Sequence, residues 1–547
     1  MIFNKKNGLL FFFGLTSVFL ISWIVISSIH KPLVGNAFVF PLFAKEFYEN
    51  GALSVQLGNE IFFVNFHTTL YNHLLALFYG LFGYGVITLK FLNYTTIIIA
   101  FFLTLGLWKK DFSITLTAFM LWFTLPIVNQ SAVSGQPGSA ISFLFVLLFF
   151  LLLKNSETQK PNIILLSITL ACIIWSKETS AIVVSAAYML ATLTKRNKKE
   201  VIETFKVLSI GWVIATVIYI AYCQAYNIDP QNIIFSFTQH SGSNDYSIIG
   251  VTRDFLIGLK GSLIWIGGGT IILLGYFLLF EAITKFSIAN RFVLIGIILG
   301  FGMVTFKGLF VPRYFFEFLY PTVLIVTTSV YDQVRERKNK VKFSFNNALL
   351  ISIPLFLSAF CFYIVNDPML YLSELAEQKP NDIIVKILIF LAPTVLAIIL
   401  LIHFLRTKSL GILILAFFVN FGGNSYASLI QANAKYVTYI SGHGEYGFYD
   451  ALELINENRA PGGVIASNRF EIFGYLKGPL YYIKPKDPMI PGNPIEVNLK
   501  VDLEQLNDSS TIFFYKKDRD LKPEYGKYFR GKCVSTFDVH IVVYGKC

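Results

Sequence analysis

Thirteen long apolar runs are the feature that most constrains how this chain of 547 residues can fold. A bilayer core of ~30 Å needs about 20 apolar residues in a helix, or slightly fewer with help from flanking residues. Only helices and closed barrels satisfy their backbone groups in lipid, so the pattern predicts a bundle of membrane-spanning helices. The runs cover residues 8–29, 87–108, 112–129, 139–153, 161–176, 179–194, 206–224, 261–281, 291–306, 314–331, 346–365, 382–404 and 409–428.

The composition agrees with this prediction. Hydrophobic residues make up 55% of the chain and charged residues 14%, with a mean hydropathy of +0.61. Soluble domains carry roughly 25% charged residues, so a disordered, fibrous or ordinary soluble protein is excluded. The net charge of +12 has two possible explanations, a nucleic-acid partner or the excess of Lys and Arg in the cytoplasmic loops of membrane proteins.

The position of the charges decides between these two explanations. With an uncleaved N-terminal anchor and the N-terminus in the cytoplasm, the seven cytoplasmic segments hold 20 Lys and Arg, against 10 in the six outer loops. The dense cluster Lys195–Lys199 falls on the cytoplasmic side, as the positive-inside rule requires. The basic balance therefore reflects orientation in a cell (inner) membrane of bacterial type, and no nucleic-acid partner is expected.

Two segments are predicted to lie outside the bundle, on its outer face. The first outer loop covers about residues 30–86, where Ala37–Tyr48 is expected to form an amphipathic surface helix and His67–Gly83 an interfacial or re-entrant one. The membrane domain spans residues 1–430. Residues 431–547 are predicted to form a small extracytoplasmic, periplasmic α/β domain, with a helix at 446–458 and strands at 463–466, 510–515 and 539–544.

No motif of a soluble enzyme is present. The sequence contains no GxGxxG after a strand, no Walker A sequence, no HExxH and no GxSxG. There is no CxxC and no Cys/His cluster at zinc spacing, so no metal site is suggested. Cys533 and Cys547 flank the last predicted strands on the outer side, where either a disulfide or two unpaired thiols would be compatible with the sequence.

Ionisable residues are predicted at the outer ends of the helices. Lys177 and Glu178 interrupt two apolar runs, and charged side chains in a membrane usually face a cavity or a partner. Cations at this face suit a lipid-linked phosphate; the alternative is anchoring at the interface by long Lys and Arg side chains. The other residues of this kind are Lys307, Arg313, Tyr314 and Glu317 in and directly after a later outer turn, and Glu46, Glu49, Glu60, His67 and His73 in the first outer loop.

Here the chain resembles a family, the GT-C glycosyltransferases that use polyprenyl-phosphate sugars. It looks most like the branch containing lipid A aminoarabinose transferase and the protein O-mannosyltransferases. Thr68–Gly83 (TTLYNHLLALFYGLFG) resembles the family's Pro-Pro-Leu helix, and Ser176–Thr179 (SKET) its membrane-face Lys motif. Pro312–Tyr314 followed by Tyr320-Pro321 resembles its Arg-Tyr segment, and Tyr449–Ala466 the start of its outer domain.

The resemblance implies an all-α polytopic membrane domain of about 13 helices with a C-terminal α/β domain. It also implies transfer of a hexosyl or pentosyl group from a polyprenyl-phosphate donor to lipid A, another lipid, a glycan or a protein. Three positions depart from the family pattern. Asn36 stands where the family has the acid of its first loop, and Phe66–Thr69 (FHTT) stands where it has Glu-Lys-Pro-Pro. Gln136 lies near the position of the family's second-loop Asp. Because Asn cannot ionise, Asn36 cannot be the catalytic base.

Two interpretations follow from these departures. In the first, the protein is an active transferase without a bound cofactor, and a divalent metal is possible but not implied. The candidate bases are Glu46, then Glu60, then His67, whose pKa suits the task. The carrier phosphate would be held by Lys177, Lys307, Arg313 and Tyr314, with Gln136, His73 and Glu178 close to the acceptor. In the second, a catalytically silent protein binds or transports a polyprenyl-linked sugar.

Overall fold

The structure is a computed structural model, and it describes part of the chain. The described residues are 18–26, 29, 39–51, 54–57, 60–63, 69–108, 110–125, 127–128, 141–195, 197–225, 250, 252, 266, 268–285, 287–306, 316–336, 398–406, 416, 420, 454–458, 463–467, 480–482, 512–516, 533–536 and 541–545. The span predicted at 346–365 lies outside these residues, as do all but two residues of the span predicted at 409–428.

Helices make up most of the described chain, and most of them coincide with predicted apolar runs. Short helical segments also occur at residues 18–26 and 398–406. In chain order the helices are α1 Val39–Asn50, α2 Thr69–Phe82, α3 Val86–Leu107, α4 Phe112–Phe123, α5 Ile141–Ser156, α6 Ile163–Ser176, α7 Glu178–Leu193, α8 Lys198–Ala225, α9 Gly268–Thr284, α10 Ile288–Phe306 and α11 Phe316–Glu336.

The long helix α8 shows why these helices suit a lipid bilayer. Its inner stripe of small and apolar side chains, including Val207, Gly211 and Ala215, is buried. Its opposite face is also apolar, and Val213 and Val217 are each 60% exposed. A helix that is apolar all round fits a membrane span or a deeply buried position, and these side chains are not buried. By length and composition, α3 and α8 can cross a membrane.

Two helix boundaries differ from the prediction for local reasons. α4 ends at Phe123 instead of residue 129, because Pro126 lacks a backbone N–H and disfavours helical backbone in the residue before it. α8 begins at Lys198, eight residues before the apolar run that starts at 206, since its first turns are polar and extend the helix beyond the apolar segment. The Asn197 side chain caps this start by accepting a hydrogen bond from the Lys199 N–H at 3.1 Å.

The first outer loop contains the two predicted helices and a hairpin that was not predicted. α1 and α2 match the segments expected at 37–48 and 67–83. Between them, β1 (Ser54–Leu57) and β2 (Glu60–Phe63) pair antiparallel, with Leu57 opposite Glu60. In the sequence, Gly58 and Asn59 stand between the two strands, and a Gly-Asn pair favours a hairpin. α1 contacts both α2 and β1, so the loop folds as one unit.

The C-terminal part contains a five-stranded mixed sheet with the order β4-β3-β5-β7-β6. β3 pairs in parallel with both β4 and β5, whereas β5–β7 and β7–β6 are antiparallel. Three strands lie within two residues of the predicted ones, and β4 and β6 were not predicted. β4 also contacts β1 of the first loop. The domain boundary at 430/431 stays a prediction. The strands are β3 Ile465–Ser467, β4 Leu480–Tyr482, β5 Ile512–Lys516, β6 Cys533–Thr536 and β7 Ile541–Gly545.

One end of the bundle gathers the polar residues of the predicted cytoplasmic loops, and we call it the Lys154 end. Lys154 Nζ lies 2.7 Å from Glu157 Oε2 and donates to Ser287 Oγ at 3.2 Å. Ser287 in turn donates to Glu157, and Arg291 Nη1 donates to Thr194 Oγ1 at 2.9 Å. These contacts join three loops that lie far apart in sequence but that the charge alternation places on one face of the membrane.

Candidate functional site

At the opposite end of the bundle, Lys177 is the single residue that separates α6 from α7. Its backbone is extended, with φ −168° and ψ 106°, so it ends one helix and caps the next. Its backbone N–H still donates to the Ile173 carbonyl at 2.8 Å. The chain therefore turns sharply at this residue, and we call this side the Lys177 end.

The Lys177 ammonium group forms a buried ion pair with Glu317. Its Nζ atom lies 3.0 Å from Glu317 Oε1, and Ser180 Oγ donates to the same oxygen at 2.8 Å. The Glu317 side chain is fully buried, and 11% of the Lys177 side chain is exposed. Within the described part of the chain, Glu317 Oε2 has no hydrogen-bond partner. Both donors thus contact the same oxygen of the Glu317 carboxylate.

Glu317 is positioned by the start of α11 and by aromatic packing around it. It lies in the first turn of this helix, where the partial positive charge of the helix N-terminus favours a carboxylate. Next to it, Phe316 packs 5.6 Å from Phe143, measured between ring centroids, and Trp122 stacks on Phe143 at 4.9 Å. Large buried rings of this kind lose packing energy when displaced, so they fix the helix start.

His73 of α2 reaches the same end through a series of aromatic contacts. Its ring lies 4.2 Å from that of Phe47 and 5.7 Å from that of Tyr222, and Tyr222 in turn lies 5.3 Å from Trp175, two residues before Lys177. Burial lowers the pKa of His73, and a short contact from Nδ1 to the Thr69 carbonyl opposes this in part. With Nδ1–H donating to this carbonyl, the neutral ring presents Nε2 as an acceptor.

A second polar group of residues lies between α1 and the turn before α3. Lys45 Nζ is 5.5 Å above the ring of Tyr84, a cation–π geometry. Burial raises the pKa of Tyr84, and the nearby carboxylates of Glu49 and Glu46 raise it further. Glu46 is half-buried and Glu49 is exposed. The first candidate base therefore lies at the surface helix of the first outer loop, beside a buried phenol.

The predicted site residues divide into described and undescribed ones. Glu60 lies in β2, opposite Leu57, and Glu178 opens α7 directly after Lys177. The structure brings Lys177 and Glu178 to one end of the bundle together with His73. The candidates outside the described residues are Asn36, His67, Gln136, Lys307, Arg313 and Tyr314.

Sequence reasoning did not identify Glu317 as a partner of Lys177. The two residues are 140 positions apart, and no periodicity relates them. One signal was available: Glu317 is an acid inside an otherwise apolar stretch, four residues after Arg313. A charge in such a position usually has a partner.

Among the side chains that the structure describes, no group of three or more His, Cys, Asp or Glu residues lies close enough to hold a metal ion.

Comparison with solved structures identifies the fold. The chain has the GT-C fold, as the sequence resemblance predicted. It is similar to ArnT from Cupriavidus metallidurans bound to undecaprenyl phosphate, with a TM-score of 0.63 over 97% of both chains and 14% identity. The apo form of that protein gives a TM-score of 0.61 and 13% identity, over 99% of this chain and 98% of the other.

A weaker likeness links the chain to the oligosaccharyltransferase of Archaeoglobus fulgidus in its apo form. Its TM-score is 0.41 and its identity 12%, over 64% of this chain and 55% of the other. No protein-family model and no curated protein sequence matches the chain. At these identities the likeness concerns the fold, because one fold supports many functions.

Proposed function

We propose that this protein is a membrane glycosyltransferase that moves a sugar from a polyprenyl-phosphate carrier to an envelope acceptor on the outer face of the membrane. The observation that carries the proposal is Lys177, a cation held between two helices at one end of a fold that binds undecaprenyl phosphate in ArnT. A lysine in this position supplies the point charge that a lipid-linked phosphate requires.

The proposed reaction is an inverting transfer. The acceptor hydroxyl oxygen attacks the anomeric carbon, its proton passes to a carboxylate or imidazole base, and the bond from the anomeric carbon to the phosphate oxygen breaks. The carrier leaves as polyprenyl phosphate. Lys177, with Lys307, Arg313 and Tyr314, would stabilise the negative charge that develops on the leaving phosphate.

Glu46 is the first candidate for the base. It is half-buried on α1, in the first outer loop, and it lies next to Tyr84. Glu60 and His67 are the second and third candidates. An acceptor that is already an anion, such as a lipid phosphate, needs no strong base, and this would make Asn36 tolerable in place of the acid that the family carries.

The finer parts of the proposal concern partners and location. The donor would be a polyprenyl-phosphate hexose or pentose, and the acceptor lipid A, another lipid, a glycan or a protein. His73, Gln136 and Glu178 are proposed to lie near the acceptor. The protein would lie in a bacterial inner membrane with its N-terminus in the cytoplasm and residues 431–547 in the periplasm.

The proposal is tested by in-vitro transfer with purified full-length protein and a panel of polyprenyl-phosphate sugars. Product formation is followed by mass spectrometry. Glu46→Gln should lower the transfer rate by about 10²–10⁴-fold, the usual contribution of a general base. Glu49→Gln is the matched control, because Glu49 lies on the same helix and is exposed, and it should transfer at the wild-type rate.

The possible results separate the alternatives. Unchanged transfer by Glu46→Gln rejects Glu46 as the base and leaves Glu60 and His67 as candidates. Binding of donors without transfer from any of them would instead identify a silent carrier-binding protein. Absence of both binding and transfer would reject the proposed function.

A further inference from the structure

The proposed reaction, on which this inference rests, creates a problem of product release at Lys177. The donor is a phosphate diester with one negative charge, whereas the released carrier is a monoester with a charge of about −1.5 to −2 at pH 7. A buried lysine that binds the phosphate would hold the product more tightly than the donor. Repeated turnover therefore requires a group that weakens binding of the product relative to binding of the donor.

The geometry around Lys177 supplies such a group. Glu317 Oε1 lies 3.0 Å from Lys177 Nζ, a distance at which the carboxylate already neutralises the ammonium charge. The pair uses one carboxylate oxygen, since Ser180 Oγ donates to the same Oε1 atom and Oε2 has no partner among the described side chains. A one-oxygen contact is easier to break than a bidentate pair, so an incoming phosphate can take the place of Glu317.

The same distance argues against Glu317 as the catalytic base. An inverting transfer needs the base on the opposite side of the anomeric carbon from the leaving group. If Lys177 holds the leaving phosphate, then Glu317, 3.0 Å from it, lies on the leaving-group side. Glu317 is therefore on the wrong side of the sugar to accept the proton of the acceptor hydroxyl. Its negative charge, in contrast, lies directly beside Lys177, the residue proposed to bind the phosphate.

We propose that Glu317 is a positioning residue that competes with the carrier phosphate for Lys177 and thereby speeds release of the polyprenyl-phosphate product. In the unliganded protein Glu317 orients the ammonium group and compensates its charge. In the donor complex the phosphate displaces it, and after transfer the carboxylate reclaims Lys177 as the product leaves.

Titration of full-length protein in detergent with undecaprenyl phosphate tests this proposal without knowledge of the sugar. Lys177→Gln should weaken binding about tenfold, and Glu317→Gln should tighten it about tenfold, the low end of coupling between close charge pairs. The gain should be smaller for the methyl diester of undecaprenyl phosphate, because it carries a single charge. A merely structural Glu317 would give weaker binding instead.

Three further variants make the test specific. The double variant Lys177→Gln, Glu317→Gln should not show the tighter binding of undecaprenyl phosphate, because the effect of Glu317→Gln acts through Lys177. Glu281→Gln is the matched control: Glu281 is also nearly buried and pairs with Lys285 at 2.9 Å at the Lys154 end, and its change should leave binding as in wild type. Glu317→Asp keeps the charge with a shorter side chain, and its affinity should lie between those of wild type and Glu317→Gln.

Turnover provides a second readout once a donor is identified. Glu317→Gln should lower kcat and lower KM together, since product release slows while donor binding tightens. A Glu317→Gln protein that is folded but binds undecaprenyl phosphate no more tightly than wild type would overturn the inference, and Glu317→Asp serves the same purpose if the Gln variant is unstable. Failure of wild-type protein to bind undecaprenyl phosphate at all would instead contradict the proposed function.

Discussion

At the level of single residues, burial decides which charged groups matter. Lys195 and Glu200 form a 2.8 Å pair at the surface, which contributes about 0–1 kcal/mol to stability. The pair of Lys177 and Glu317 has the same chemistry but is buried, and loss of one partner from such a pair costs about 3–5 kcal/mol. The sequence identified Lys177 as unusual, but only the structure revealed the group that balances it.

His73 gives a testable pH dependence at this scale. Burial lowers its pKa below the value in the unfolded chain, so the folded protein holds the ring neutral at neutral pH. Below the unfolded pKa of about 6.5 the unfolded chain binds more protons than the folded protein, and stability is lost as the pH falls further. His73→Gln should therefore show a smaller drop in apparent unfolding temperature between pH 7.5 and pH 5.5 than wild type.

Thermal unfolding of both proteins in the same detergent, at several pH values, provides the measurement. The other six histidines and all carboxylates are common to both proteins, so the difference between the two curves isolates His73. Parallel curves over this range would contradict the expected role of burial at this ring.

At the level of elements, α6 and α8 show how small residues allow close helix packing. Ser167 Oγ donates to the Val207 carbonyl at 3.1 Å, and Trp175 Nε1 to the Ala215 carbonyl at 3.3 Å. In each pair the two residues are 40 positions apart, so α6 and α8 run in the same direction. Two membrane spans with one span between them must do so. Gly211 lies between these contacts, and α6 leaves no room for a side chain there.

Gly211→Ala is expected to destabilise this helix pair. A Cβ at residue 211 would come within 2.9 Å of Leu170 Cδ2 and 3.0 Å of the Ser167 carbonyl oxygen. Overpacking of this kind costs about 1–3 kcal/mol, more than the ~0.5–1 kcal/mol that alanine gains over glycine in a helix. The apparent unfolding temperature in detergent should fall.

Gly106→Ala is the matched control for this substitution. Gly106 also lies inside a helix, α3, but a Cβ there would meet no atom within 4 Å. Its unfolding temperature should stay equal to that of wild type or rise slightly, because the helix gains alanine without a clash. Equal effects of the two substitutions would show that the contact between α6 and α8 is looser than the structure indicates.

The first outer loop shows the limit of pattern reading at the element scale. Its two helices could be predicted from their apolar spacing, because α1 and α2 each place an apolar face on a neighbour. The hairpin β1–β2 could not be predicted from alternation, since strands of four residues are too short for a clear period. β1 contacts α1, which directly precedes it, and also β4, which lies far away in the sequence.

At the level of the whole molecule, contacts between distant segments bring polar residues together at the two ends of the helix bundle. The Lys154 end joins loops predicted to be cytoplasmic, and the Lys177 end joins segments predicted to lie outside. Lys90, at the start of α3, donates to the Ile29 carbonyl at 3.0 Å, which places the end of the first predicted span beside the start of α3. The two ends agree with the alternation of charge, which predicts that the Lys154 end faces the cytoplasm.

Cysteine labelling in intact cells determines that orientation. In a background with the five natural cysteines replaced, Glu49→Cys should react with a membrane-impermeant thiol reagent. Gln159→Cys should react only after the cells are permeabilised. Both positions are exposed in the structure, so the difference reports the side of the membrane. Labelling of Gln159→Cys in intact cells, with Glu49→Cys protected, would invert the predicted topology.

The sequence by itself determined that the chain is a helical membrane protein and where most of its helices lie. These properties follow from apolar run length and charge placement, which are local and additive along the chain. The GT-C resemblance also came from short motifs in order.

Only the tertiary structure decided which side chains meet. The pairing of Lys177 with Glu317, the aromatic contacts from His73 to Trp175, and the close approach at Gly211 each join residues on different elements. Such contacts depend on how helices cross and on which face each presents. Hydropathy carries little of this information in a helix that is apolar all round, because every face of it looks alike in the sequence.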